Sequence, residues 1–414
     1  MSEFPIAWVR DSFPALNAGD NFVFFDNGAG AQIPHIVLDA VRMHLVSHNV
    51  QRGGRYHKSQ QVDSTIQRAR ESVSTFLNAR EPEEVAFGMN ATSFIRLVSL
   101  AITEVLRGRP EIVVTDLDHE GNIAPWLALP SQTVEICWWK VRNDGRLHVA
   151  DLAPLLSSRT RLVACTMASN AIGSIVDVKE VARMAHAVGA EVFLDAVQYA
   201  PHGPIDVQDL DCDYLVCSGY KIFAPHMGFL WGKRRALEAL PTFREDFIPD
   251  KPPAKIEVGT FIYENVAGMD ASISYLEQLG LQVSPNGTSN QRRGTLLRAM
   301  EAIQAYEALL SERLLRALSD VDVVTVYGIQ NPTFARARVP AVCFNVSGRA
   351  PSDIASALAE KGVGVRDGHM YSPRLLQRLG ISPETGGVRV SLAHYNTPDE
   401  IDYFIEQLRS IALN

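Results

Sequence analysis

An α/β fold built on a mainly parallel sheet is predicted by two features of this 414-residue chain. Short runs rich in β-branched residues are apolar throughout, and segments with apolar residues at helical spacing separate them. Strands that are buried on both faces and alternate with helices imply a parallel sheet covered on each side. A third feature, a change of texture near residue 288, predicts a second, smaller α+β unit.

The strand-like runs are EIVVTDLDH (111–119), TVEICWWKV (133–141), RLVACTMAS (161–169), EVFLDAVQ (191–198), DYLVCSG (213–219) and GFLWGK (228–233). Helical spacing appears in SFIRLVSLAITEVL (93–106) and VKEVARMAHAVGA (178–190). Residues 290–320 read as one long helix or two in tandem, followed by a β-β-α-β-β-α order. The Pro- and Gly-containing piece VSPNGTSN (283–290) marks the expected boundary.

Hydrophobic content of 46% and charged content of 21% are those of an ordinary globular enzyme. A net charge of −8 with scattered basic residues argues against a nucleic-acid or anionic-membrane partner. No run approaches the ~18 apolar residues of a membrane span. The N-terminal MSEFPIAWVRDSFPAL lacks the basic and apolar regions of a signal peptide, so a cytoplasmic location is expected. Cys137, Cys165, Cys212, Cys217 and Cys343 form no CxxC pair; reduced thiols and no metal site are expected.

In open parallel sheets ligands gather at the carboxyl ends of the strands. Asp195 and Gln198 lie at such an end in LDAVQYAPHGPIDV. Lys221 follows 26 residues after Asp195, at the end of what reads as the next strand but one. A lysine there can snorkel to the surface. Paired with an acid, it also suits pyridoxal phosphate (PLP): the amine forms a Schiff base and the acid holds the ring nitrogen. GMNATSFI (88–95) offers small and hydroxyl residues at a helix start, either a plain N-cap by Asn90 or Thr92 or a phosphate site. His119 follows a strand, as a polar loop residue or as an imidazole that stacks on a flat ring. Asn170 ends another strand in MASNAIGSI.

Together these motifs, in order from FFDNGAGAQIP (24–34) to VRVSLAHYNT (388–397), resemble the class V aminotransferase family and, more narrowly, its cysteine desulfurase-like branch. The motifs are Asn90-Ala91-Thr92, His119-Glu120-Gly121-Asn122, Ser169-Asn170-Ala171-Ile172-Gly173, Asp195-Ala196-Val197-Gln198 and Ser218-Gly219-Tyr220-Lys221. The resemblance implies PLP fold type I. That means an N-terminal segment (1–20) packing on the small domain, a large domain (21–285) with a seven-stranded, mainly parallel sheet, and a small α+β domain (286–414). It implies Lys221 as Schiff-base lysine, Asp195 on the pyridine nitrogen, and His119 over the ring. Gln198 and Asn170 would lie at the phenolic oxygen. Asn90, Ala91, Thr92 and Ser218 would hold the phosphate, with Tyr220 as a further donor in place of the family's frequent histidine. Thr260 would reach the phosphate of the neighbouring subunit in a homodimer. Arg389 would grip the α-carboxylate, and Asn27, Arg52, Arg55, His57 and His369 would face the substrate.

One departure bears on the reaction. The desulfurase branch carries a nucleophilic cysteine in a loop that corresponds here to VRDGHMYSP, where Met370 stands. A thioether forms no thiolate. Elimination of a β-leaving group (a C–S type lyase) and transamination are therefore expected first. An isopenicillin N epimerase-like reaction follows, then a desulfurase using an unrecognised thiol. A weakly catalytic PLP-fold regulatory protein is the reading from another class. A nicotinamide enzyme also fits an α/β sheet, but no G-x-G-x-x-G follows the first strand.

Overall fold

The computed structural model describes residues 4–19, 21–284 and 291–413. Its strands, in chain order, are β1 (Val23–Phe24), β2 (Val85–Gly88), β3 (Glu111–Thr115), β4 (Glu135–Trp139), β5 (Thr160–Thr166), β6 (Glu191–Asp195) and β7 (Tyr214–Ser218). They continue with β8 (Gly228–Gly232), β9 (Val324–Tyr327), β10 (Ala341–Val346), β11 (Val363–Gly364), β12 (Arg366–Gly368) and β13 (Gly387–Ser391).

Seven of them form one sheet in the order β2-β8-β7-β6-β5-β3-β4. Every neighbouring pair is parallel except those made by β8, which runs antiparallel to both β2 and β7. This is the mainly parallel, helix-covered sheet of PLP fold type I. Alternate residues enter separate apolar cores: Val192 and Leu194 of β6 join one face, and Phe193 joins the other. The middles of the inner strands are therefore apolar on both faces, with polar residues such as Glu111, Glu191 and Asp195 at their ends.

Lys221 follows β7, which pairs directly with β6 through Asp195↔Val216. The lysine thus follows the next strand, not the next but one. Between β6 and β7 the chain holds turns and a short helix, Val207–Leu210, and no strand.

Residues 292–319 form a single helix, Arg292–Ser319. The second sheet has the order β12-β13-β10-β9 and is antiparallel throughout. A short extra helix, Pro373–Arg378, precedes its strand β13. The expected boundary at 285/286 lies outside the described residues. Strand β1 pairs in parallel with β11, and Asp26 bridges Ser391, so the chain just after the N-terminal segment runs alongside the C-terminal strands. In that segment Trp8 stacks on Tyr275 at 5.7 Å, and Arg10 bonds Glu400 and the Tyr395 carbonyl, both at 2.8 Å. Among the described residues no helix is long and apolar enough to cross a membrane.

The antiparallel β8 starts at the edge where its neighbours end. There Gly228 lies against the start of the helix Ala91–Thr103: a Cβ would stand 2.6 Å from the Asn90 carbonyl carbon and 2.7 Å from its Cα. Backbone cannot yield as a side-chain tip can. Gly228→Ala should therefore cost about 1–3 kcal/mol, as overpacking does. The check is a lowered urea midpoint at unchanged slope; an unaltered midpoint contradicts the packing described.

Candidate active site

A cavity of about 840 Å³ opens at the carboxyl ends of β5, β6 and β7. It is bounded on one side by the N-terminus of the helix Ala91–Thr103. Asn90 caps that helix, its Oδ1 accepting from the Ser93 N–H at 2.9 Å. The Ala91 N–H donates to Ser218 Oγ at 3.2 Å, tying the helix start to the end of β7. Thr92 lines the same corner. Gly121 lies so close that a Cβ would meet His119 Nδ1 at 2.9 Å and Thr92 Oγ1 at 3.0 Å.

Lys221 sits in a one-turn 3₁₀ segment, Gly219–Lys221, directly after β7. It is 8% exposed, and its Nζ donates to the Gly28 carbonyl. Burial, then repulsion from Arg389, brings its pKa down to about 7, although Asp26 and Asp195 oppose the shift. Asp195 ends β6 and accepts from the Val197 N–H at 2.9 Å. Burial pushes it up to about 6 against that bond and the pull of Lys221. Burial, with Lys221 and Arg389 adding to it, lowers His119 to about 4. Its Nδ1 accepts from the Gly121 N–H at 2.9 Å, which leaves the proton of a neutral ring on Nε2.

Arg389, on β13, closes the opposite wall. Its Nη2 donates to Asp26 Oδ1 at 2.8 Å and its Nη1 to the Asn170 carbonyl at 2.9 Å. Its Nε is buried with no partner. Asp26 also takes Arg366, whose Nη2 lies 2.6 Å from Oδ2. Asn170 donates one amide hydrogen to the Met370 carbonyl at 2.6 Å and accepts from Ser372 Oγ at 2.9 Å. Gln198 lines the cavity with its Oε1 buried and unpaired.

A sequence profile of the aminotransferase class-V family matches residues 23–292 and 296–404 of this chain. The chain belongs to the class V aminotransferase family. It is 34% identical to a probable cysteine desulfurase of Synechocystis, over 98% of this chain and 95% of that one. It is also 34% identical to the aminotransferase-like protein FGM3 of Gibberella zeae, with 99% of each chain covered. Among solved structures it superposes on the apo cysteine desulfurase of Thermococcus onnurineus with a TM-score of 0.87 at 26% identity, covering 100% and 99% of the two chains. The cysteine desulfurase CsdA of Escherichia coli gives 0.84 at 27% identity, with 99% of each chain covered.

This member is a PLP-dependent enzyme, and the residues present fit the cofactor. A buried, readily neutral amine, a buried acid with space before it, a neutral imidazole and a helix N-terminus flanked by hydroxyls converge on one cavity. The unpaired Gln198 Oε1 is a polar atom lacking a partner there.

Of the residues singled out from sequence, the cavity brings together Asn90, Ala91, Thr92, His119, Asn170, Asp195, Gln198, Ser218, Tyr220, Lys221 and Arg389. Tyr220 stacks on His226 at 5.0 Å. Five expected substrate residues and Thr260 lie outside its lining. Asn27 is taken up by packing: its Nδ2 donates toward Phe24 O, Ser391 O and Asn396 Oδ1 at 2.7–3.0 Å, and its Oδ1 accepts from Tyr395. Arg52 faces Asp63 and Glu257, and Arg55 and His57 are exposed beside it. His369 is exposed and accepts from the Tyr371 N–H at 3.0 Å. Thr260 is exposed next to Gly259.

Sequence reading missed Asp26, Arg366 and Tyr371. Asp26 was visible only as a letter in FFDNG, because its partners lie 340 and 363 residues away. Tyr371 follows Met370, and both hold left-handed backbone at φ 57° and 51°. Non-glycine residues there cost about 1–3 kcal/mol each, and nothing in the letters announces it.

The Lys221 shift has a direct check in cofactor-free protein. A buried lysine with lowered pKa binds its proton only below that pKa. Its amine reactivity should rise through about pH 7, whereas ordinary lysines rise near 10.4. Labelling by trinitrobenzenesulfonate, with Lys221 mapped by mass spectrometry, should half-saturate near neutrality; a midpoint near 10 contradicts the electrostatics.

Proposed function

We propose that this enzyme acts at the α-carbon of a small amino acid and expels a substituent from its β-carbon, as a carbon–sulfur lyase. The observation that carries the reading is a cavity holding a readily neutral lysine and a buried arginine but no cysteine among its described lining residues. Persulfide-forming desulfuration needs a thiolate at the substrate's sulfur. Burial pushes the thiols of Cys165, Cys212, Cys217 and Cys343 up, the last to about 12. Cys137 lies on the edge strand β4, outside the cavity's lining. Met370 is only 2% exposed and offers a thioether.

Arg389 would bind the α-carboxylate, its unpaired Nε and planar fork suiting a two-oxygen acceptor. Lys221 would hold the cofactor and then take the α-proton, since a sizeable fraction of its amine is unprotonated at neutral pH. Asp195 would keep the ring nitrogen protonated, and neutral His119 would lie against the ring face. Gln198 and the second amide hydrogen of Asn170 would reach the phenolic oxygen. The helix start at Asn90, Ala91 and Thr92, with Ser218, would bind the phosphate. Thr260 would extend to the phosphate site of the neighbouring subunit in a homodimer. When bound, PLP supplies the electron sink for charge left at the α-carbon.

Lys221→Ala should abolish the borohydride-sensitive imine absorbance and lower turnover at least 10²- to 10⁴-fold. Arg389→Ala should raise KM for the amino acid about 10- to 100-fold, from the ~1.5–3 kcal/mol of a hydrogen bond to a charged group. The deciding assay is a panel of β-substituted amino acids scored for pyruvate, ammonia and thiol. Keto-acid exchange without thiol release would make the enzyme an aminotransferase. Sulfide accompanied by a protein persulfide would overturn the reading.

A further inference from the structure

The loop between β12 and β13 is bolted to the segment that carries His119. The Glu120 N–H donates to the Tyr371 carbonyl at 2.8 Å, and Asn170 holds the carbonyl of Met370. Arg374 pairs with Glu120 at 3.4 Å and Arg378 with Asp116 at 3.1 Å. These contacts sustain two successive left-handed residues, which L side chains rarely adopt. The result is a division of the two side chains: Met370 is buried, and Tyr371 forms part of the cavity wall.

The Tyr371 ring lies 5.5 Å from that of His119, tilted by 33°. Its hydroxyl is within electrostatic reach of Arg366 and of Tyr220. Of the cavity's other hydroxyls, two are spent on backbone carbonyls and two lie at the helix start. Ser93 donates to the Asn90 carbonyl, Thr166 to the Ala168 carbonyl, and Thr92 and Ser218 flank the helix start. Tyr220 stacks on His226 next to Lys221. Tyr371 is thus the hydroxyl on the wall shared with Arg366 and Arg389. It is also 53% exposed, so it can exchange its proton with solvent.

We propose that Tyr371 is a catalytic residue, the donor of the proton that the β-substituent takes as it leaves. This rests on the β-elimination reading above. Lys221 takes the α-proton, and the electron pair of that C–H bond becomes the new bond between the α- and β-carbons. The β-carbon–sulfur bond breaks, its pair stays on sulfur, and the phenol proton moves to that sulfur to give a neutral thiol. The phenolate, within electrostatic reach of the Arg366 guanidinium, regains a proton from water. No oxidant or reductant is consumed.

The test is Tyr371→Phe, which keeps the ring and removes only the hydroxyl. Two probes separate the roles: S-methyl-L-cysteine, whose leaving group needs a proton, and β-chloro-L-alanine, whose chloride does not. The variant should release thiol about 10²- to 10³-fold more slowly and chloride at the wild-type rate. Its dissociation constant for an α-methyl amino acid, which has no α-proton to lose, should change less than about threefold. Equal losses on both probes, or no loss on either, overturn the proton-donor role and leave the lyase reading standing. Wild-type enzyme that eliminates from neither probe removes the lyase reading and this role with it.

Discussion

Lys221, Arg366 and Arg389 share one cavity, and burial together with the placing of one carboxylate decides which of them gives up its charge. Asp26 accepts from both Arg389 and Arg366, whereas Lys221 bonds a neutral carbonyl at Gly28. A guanidinium cannot shed its proton at physiological pH, so the cost of crowding falls on the amine. Desolvation and the Arg389 charge then outweigh the pull of Asp26 and Asp195, and the lysine's pKa falls to about 7. A direct Lys221–carboxylate pair would have reversed that outcome, because an adjacent opposite charge favours the charged form. The neutral state of His119 follows from the same two neighbours after burial.

Topology brings these groups together without long detours. Strands β5, β6 and β7 run side by side in parallel, so Thr166, Asp195 and the turn that carries Lys221 emerge at one edge. The reversed β8 places Gly228 at that same edge, where the absence of a Cβ lets the Asn90 backbone approach. The opposite wall comes from the far end of the chain: Arg389 on β13 and Arg366 on β12, fastened to Asp26 just after β1. The site is complete only when both ends of the sequence have folded against the central sheet.

That construction explains what could be read from the letters. Asp195, Lys221, Asn90 and His119 lie in short motifs at strand ends, where residue type and apolar flank together reveal both place and chemistry. The strands themselves were legible because burial on both faces leaves their central positions apolar. The place of Asn27 was not legible, because its hydrogen bonds go to Ser391, Tyr395 and Asn396, which no local pattern links to it. Arg52 likewise has its partners at Asp63 and Glu257. The Asp26–Arg366 pair and the orientation of Tyr371 depend on long-range contacts and backbone dihedrals, which are properties of the folded chain alone.

The loop at 369–372 sets which side chains form the cavity wall beside His119. The cofactor stabilises charge at the α-carbon whichever bond is broken, so the product depends on which side chains meet the substrate's far end. Left-handed backbone at two non-glycine residues persists only where surrounding bonds over-determine it. Here Glu120, Asn170, Arg374 and Arg378 supply those bonds, and all four connect the loop to the walls that hold His119 and Arg389. The strain therefore serves orientation: it turns a thioether away from the cavity and a phenol into its wall. A thiol would have offered sulfur a covalent acceptor, whereas a phenol can offer it only a proton.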